Sequence, residues 1–567
     1  MERNLSDTCT MRKRIIAFLF YIVSLFLVAT FLAGCFYYSI PDPSDNTVVQ
    51  EGHEIDSLEE ILPQEGGEIR VPVPVPDTFN PLLAHTKGLS GFLGIMFEGL
   101  FELGEDQSPV PVLAHSWEVQ EEGRVWHIKL REGVKFHDGH ELTAEDVIFT
   151  FKALQEGILG SPYERGLVAH PDIETMVADE NDTFAVYVHL FEPIHNMREL
   201  LTFPILPLHV YQSSAFMLEN KGNFNFLPVG TGPFEADSAR FDVLSHLRLV
   251  RNQDWWGGET YLDSVLGLVY EDETLARTAF VLGEIDIFDS VELFANVHAI
   301  GRQIQRHTYV TSHFEFIGFN HAHPILSNLL VRRAIAHAID RQQIITVVYN
   351  GNAQNTEAPI PPSSWLYRSG HGIFDADINK ASELLIQAGW TGVDENGIRF
   401  KATETGYMPL KFRLLTNIES GLRRHAQELI INQLEAVGIA VEVQIEPLDK
   451  FAEALRTMDF DAVLTGYSVG RFPDLKFNLN LGDGALPVTF YESDTLDFLV
   501  NEAAREYDQE RLSGIYIDAQ KYISEQLPVI SLFFRTGSLL VDKSVKGITV
   551  PVSHDIYRSI DRWHISR

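Results

Sequence analysis

Cysteine is almost absent: the chain of 567 residues carries two, Cys9 and Cys35. Everything after Cys35 is therefore built without a disulfide or a thiolate ligand, which excludes a disulfide scaffold and a cysteine-ligated metal protein. Basic residues are few, 44 Lys and Arg against 79 Asp and Glu, for a formal net charge of −35. Phosphate binding needs a basic face, so nucleic acid is not an expected partner. Catalytic signatures are also missing. There is no Gly-x-Ser-x-Gly, no His-Glu-x-x-His and no Walker loop, so neither an enzyme nor an ATPase is expected, and no cofactor. The chain is not short of core material. With 45% hydrophobic and 22% charged residues it reads as folded rather than disordered, and its length suggests two or three domains. No internal repeat is visible.

What is present begins at the N-terminus. Arg12, Lys13 and Arg14 precede an uncharged run from Ile15 to Gly34. A basic cluster followed by an apolar stretch is an export signal. The run ends in Leu32-Ala33-Gly34-Cys35, which resembles the lipobox of bacterial lipoproteins, where the cysteine becomes the lipidated first residue of the mature chain. The alternative is an uncleaved anchor, because about 20 apolar residues span a bilayer. Either reading puts the remainder outside the cytoplasm, in the cell envelope. Residues 1–34 are thus expected to be a signal peptide, with Met11 a better start than Met1. Residues 35–66, rich in Pro, Asp, Glu, Ser and Gly, are expected to be the lipidated cysteine and a solvated tether.

Beyond the tether, strand and helix periods interleave. Ile69, Val71, Val73 and Val75 alternate, and Pro72, Pro74 and Pro76 predict an edge strand because they cannot donate ladder hydrogen bonds. Val125–Leu130 puts Trp126, Ile128 and Leu130 on one face; 184–190 and 247–250 are further strands. Thr143 is placed to cap a helix with Glu145 and Asp146 in its first turn. Val331, Ala334, Ile335 and Ala338 form a helical stripe, as do Ala381, Leu384, Leu385 and Ala388 ahead of Gly389. Two more stripes follow, Leu496/Leu499/Val500/Ala503 and Leu512/Ile515/Tyr516/Ala519. Strands mixed with helices throughout predict an α/β architecture.

Several blocks carry a more specific resemblance. They are FEGLFEL at Phe97–Leu103, PVLAHSWEV at Pro111–Val119, and LREGVKFHDGHELTAEDVIFTF at Leu130–Phe151. Further on come VGTGPF at Val229–Phe234, GEID at Gly283–Asp286, VRRAIAHAIDR at Val331–Arg341 and ASELLIQAGW at Ala381–Trp390. In this order the blocks resemble the bacterial extracellular solute-binding proteins of the peptide/nickel ABC-importer family (family 5 type). The resemblance implies a periplasmic-binding-protein-like, class II two-lobe clamp with mixed sheets, flanking helices and an extra inserted domain. It implies a discontinuous domain I (67–82, 229–309 and 528–567), an inserted domain II (83–228) and a second lobe, domain III (310–527). It also implies a monomer that captures an oligopeptide or similar solute between its lobes and delivers it to membrane permease subunits driven by partner ATPases. A surface sensor, adhesin or peptide-holding chaperone on the same fold is the alternative.

The family places an acid that meets a peptide's amino group after a Gly-Trp step. Here the segment reads Gly466-Tyr467-Ser468-Val469-Gly470-Arg471-Phe472-Pro473-Asp474, and the expected position falls near Gly470 or Arg471. This departure leaves two options, Asp474 toward an amine or Arg471 toward a carboxylate, whose planar fork binds such groups bidentately. Tyr467 and Trp365 are expected aromatic contacts, with core packing as the alternative. Asn80, in Phe79-Asn80-Pro81, lies in a turn the family places near the cleft. Trp255-Trp256 reads as packing. Of the 21 histidines, His137 with His140 and His321 with His323 are closely spaced, but spacing alone does not make a metal site and none is expected.

Overall fold

The computed structural model describes residue 63 and residues 65–155, 172–212, 227–242, 245–291, 302–370, 375–404, 406–470, 472, 475 and 491–566. The expected signal peptide, Cys35 and the expected tether apart from residues 63, 65 and 66 lie outside the described residues. Among those residues no helix is long and apolar enough to cross a membrane.

Three sheets organise the chain. In the first, Glu68–Pro74 pairs in parallel with Ser264–Tyr270, which continues antiparallel to His246–Arg251 and then Phe234–Asp242. Glu68–Pro74 lies at the edge, where its prolines cost no ladder bonds, and turns Ile69, Val71 and Val73 inward. The second sheet is antiparallel, in the order Ala114–Gln120, Val125–Leu130, Asp182–Leu190, Ile173–Asp179. Helix Ala144–Gln155 packs on it, burying Val147, Phe151 and Leu154. One apolar cluster runs through both sheets and takes in the C-terminal Leu539, Val541 and Trp563.

The third sheet has seven strands. Its main path is Ile287–Ser290, Val529–Asp542, Ile304–Phe319, Ala462–Ser468, Lys411–Asn417 and Ala440–Glu446, with Ala353–Asn355 added on Val529–Asp542. Helices flank its far half and start on side-chain caps: Asn328, Asp340, Asp377, Ser420, Ser493 and Asp508 each accept from a backbone N–H two or three residues on. The expected stripes face inward, with Val331, Ala334, Ile335 and Ala338 all buried. One expected cap runs in reverse. The Thr143 hydroxyl and N–H both donate to the Asp146 carboxylate, at 3.1 and 2.9 Å, rather than the hydroxyl accepting a helix N–H. The first-turn acid thereby gains a buried site, where it also accepts from Leu208 N at 2.8 Å.

Two strands of 16 and 14 residues, Ile304–Phe319 and Val529–Asp542, belong to both lobes. Their outer halves pair Ile304–Val310 with Thr536–Asp542, and Leu539 and Val541 enter the first cluster. Their other halves pair residues 314–318 with 529–534, and Phe314, Phe316 and Phe534 enter a cluster of the second lobe. The register slips between Val310 and Phe314 and again between Glu315 and Phe316. Irregularities of this kind bend and twist a ladder locally, so the chain crosses between lobes on a paired ribbon with two closely spaced soft points.

Several of the motif blocks are structural ties. Glu98 of the first block accepts from Trp255 Nε1 at 3.2 Å, Trp256 Nε1 at 2.8 Å and Thr231 Oγ1 at 2.8 Å, joining two blocks and the tryptophan pair at one carboxyl. Burial pushes that carboxyl up to about 7 against an ordinary 4.5, with the three donors opposing the rise. Between those two values the folded state holds a proton that the unfolded chain has released. The contribution of Glu98 to stability therefore falls as pH rises through this window and stays lost above it. Glu98→Gln removes the titration, so its thermal midpoint is expected to decline less than that of the wild type from about pH 5 to 7. Glu199, also raised to about 7 by burial, keeps a residual slope in both.

Candidate functional site

Away from the crossing strands the lobes meet again through named contacts. The hairpin of Phe101–Leu103 and Pro109–Pro111 ends in a turn held by Asp106, whose Oδ1 accepts from Ser108 N at 3.0 Å and Ser108 Oγ at 2.6 Å. That tip touches the loop following Pro361-Pro362. Trp365 N–H donates to Asp106 O at 2.7 Å, and Gln107 Nε2 donates to Ser363 Oγ at 3.1 Å. On another side, His195 N–H donates to Ala504 O at 3.2 Å, and its ring lies 4.5 Å from that of Phe472. Beyond the ribbon, these contacts tie residues 101–111 and 195 to residues 363–365, 472 and 504.

Tyr467 lies on Ala462–Ser468 opposite Phe314, with its ring edge-on to Phe314 at 5.8 Å and Phe316 at 5.4 Å. Burial holds its phenol well above the usual range. Trp365 is also partly buried against the apolar cluster on which Tyr467 packs. Asn80 is elsewhere and 1% exposed. Its Oδ1 accepts from Leu82 N at 3.0 Å, closing the turn, while its buried Nδ2 has no partner among the described residues. Arg471 and Asp474 lie outside the described residues, though the strand that leads to them is in place: Val469 N–H donates to Ser312 O at 2.9 Å, beside the first register slip.

On the opposite face of these strands is a charged group that the sequence reading missed. Glu315, 1% exposed, accepts from Arg423 Nε at 2.8 Å and from Arg535 Nη2. Arg423 also donates to Gly466 O at 3.0 Å and Asn417 Oδ1 at 3.3 Å. A Cβ on Gly466 would stand 2.7 Å from both Arg423 Nη2 and Glu315 Oε2, so only glycine leaves room for the pair. A signal for this group was present. Glu315 is the lone acid within HFEFIGF, and Arg535 the lone basic residue in a long apolar strand. Two guanidiniums and one carboxylate leave a net positive charge where the ribbon enters the second lobe.

With this geometry in view, the chain can be compared with known proteins. The family of bacterial extracellular solute-binding proteins, family 5 middle, matches residues 108–485. The oligopeptide-binding protein AppA of Bacillus subtilis is 26% identical over 526 residues, which is 89% of this chain and 93% of the relative. Heme-binding protein A of Haemophilus influenzae is 23% identical over 476 residues, 79% of this chain and 83% of the relative. Among solved structures, HbpA2 of Haemophilus parasuis aligns with a TM-score of 0.74 at 20% identity, covering 88% of this chain and all of the other. AppA of B. subtilis in complex with a nonapeptide aligns at 0.58 and 24% identity, covering 89% and 100%. These structures share the two-lobe clamp. The chain belongs to the bacterial extracellular solute-binding proteins of family 5, and its role is to bind a substrate for transport.

Proposed function

We propose that this protein is the extracytoplasmic binding component of an ABC importer and that it captures a peptide between its lobes. The observation that carries the reading is the two-strand crossing, with its register slips, combined with lobe contacts at Asp106–Trp365 and His195–Ala504. A paired ribbon with two closely spaced soft points suits hinge closure, and the contacts are those of the closed state. The named peptide binders among the relatives favour peptide over other solutes. The chain is held as a monomer in the cell envelope by a lipid on Cys35, and passes its ligand to permease subunits powered by separate ATPases. Residues 67–82, 229–309 and 528–567 form one lobe with the inserted 83–228, and 310–527 the other, with the first half of strand Val529–Asp542 packed into the clusters of the second lobe.

Trp365 and Tyr467 supply an apolar contact wall, while Arg471 or Asp474 meets a peptide terminus. Calorimetric titration with di- to nonapeptides tests the assignment. Trp365→Ala and Tyr467→Ala are each expected to weaken binding by about tenfold, the equivalent of about 1.4 kcal/mol. Arg471→Ala and Asp474→Ala identify the charged partner by which one loses affinity. Unchanged affinity in all four variants would remove this wall as the site.

A further inference from the structure

We propose that Asp138, His140 and His209 form a surface site for a divalent transition-metal ion of the zinc class, separate from the interlobe site. Among the described residues, this trio brings three metal-ligating groups together with their ligand atoms all within 4.8 Å of one another. His209 Nε2 is 2.6 Å from Asp138 Oδ2, and His140 Nδ1 is 3.1 Å from Asp138 Oδ1. The two imidazole rings lie 3.9 Å apart. One hydrogen bond from a histidine would account for an aspartate in this turn. A second ring, drawn from about 70 residues away in sequence and facing the first across the same carboxylate, is the feature a metal ion explains.

Local structure places all three. The turn carrying Asp138 and His140 is closed by Gly139 N–H to Phe136 O and Phe136 N–H to His140 O, each at 2.8 Å. Gly139, at φ +87°, supplies the left-handed backbone the turn needs. His209 sits on the single helical turn Leu208–Tyr211, whose first N–H donates to Asp146 Oδ1 at 2.8 Å. The Phe136 ring stands edge-on to His209 at 6.0 Å. His137, the nearer neighbour in sequence, is not a ligand. Its Nε2–H donates to Gly232 O at 3.1 Å, and its Nδ1 accepts from Gly230 N–H at 3.2 Å.

The donor set selects the ion. Two imidazoles and one carboxylate suit zinc, nickel or copper, whereas calcium and magnesium want oxygen throughout. Tetrahedral zinc with bonds near 2.0–2.1 Å needs donor atoms roughly 3.3 Å apart, so the exposed His140 ring has only a small distance to move. Three protein ligands leave a position for water, and the bound ion would staple the 136–140 turn to the 207–211 segment.

Calorimetry with zinc chloride alone on the chelator-stripped full chain tests the site. The wild type is expected to bind one zinc ion per chain at this site, and its thermal midpoint should rise with zinc. The double variant His140→Ala, His209→Ala is expected to lose that equivalent, with affinity falling by at least about tenfold. Asp138→Asn should weaken it too, and the exposed His115→Ala should bind as the wild type does. Because His140 is largely exposed, His140→Ala alone keeps the fold and still lowers affinity. A wild type with no saturable zinc equivalent, or a double variant that retains it, would overturn the proposal.

Discussion

Glu315→Gln is expected to destabilise the protein by about 3 kcal/mol, toward the lower end of what breaking a buried ion pair costs. The carboxylate is 1% exposed and faces two guanidiniums, whose side chains are 14% and 25% exposed. Removing its charge leaves two like charges in a partly buried space. The cost is moderated because Arg423 keeps Gly466 O and Asn417 Oδ1 as acceptors. Gly466→Ala should produce a comparable loss by a different route, since its new Cβ would also lie 2.4 Å from Phe314 O. The two substitutions act on one group, so the double variant should lose less than the sum of the singles. Urea unfolding measures all three. A Glu315→Gln midpoint equal to that of the wild type would show that the cluster contributes nothing to the second lobe.

Arg332→Met is expected to cost about 3–5 kcal/mol. This residue, from the block at Val331–Arg341, is 3% exposed. It donates to four backbone carbonyls: Leu527 O at 3.0 Å, Gln526 O at 2.8 Å, Leu326 O at 2.9 Å and Ser327 O at 2.8 Å. Two of those carbonyls end helix Gln509–Gln526 just before the chain enters the crossing strand, and the other two belong to the loop before the helix that carries Arg332. Methionine fills the volume but leaves all four acceptors unmet. Arg332→Lys should recover only part of the loss, because one ammonium cannot span both carbonyl pairs. Burial lowers the Arg332 pKa to about 10, so the side chain remains charged across the working pH range. Hydrogen exchange at the end of that helix should quicken in the methionine variant, and a helix end as protected as in the wild type would contradict the assigned role.

Much of the fold was legible because it depends on local period. Alternation marked Glu68–Pro74 and Val125–Leu130, and the proline pattern marked the first of these as an edge. The helical stripes were readable for the same reason, and Gly389, at φ +92°, ends its helix where expected. The reversed cap at Thr143 was not legible, because Asp146 is drawn inward by Leu208, a residue far along the chain. The same holds for the charged cluster. The lone acid at 315 and the lone base at 535 were visible, but nothing local pairs them with each other or with Arg423. Of the expected contacts, Trp365 and Tyr467 pack against one apolar cluster, and Asn80 closes its own turn. The histidines show the limit of spacing most plainly: the adjacent His137 turns to Gly230 and Gly232, and the partner of His140 comes from His209.

The measurement that tests the central claim most directly is native mass spectrometry of the chain, purified without refolding and then exposed to a mixed peptide pool. The account predicts protein carrying one additional mass per chain that resolves into peptides, reduced in the Trp365→Ala, Tyr467→Ala double variant. The mass of the protein alone, before and after the pool is added, would contradict peptide capture by this clamp.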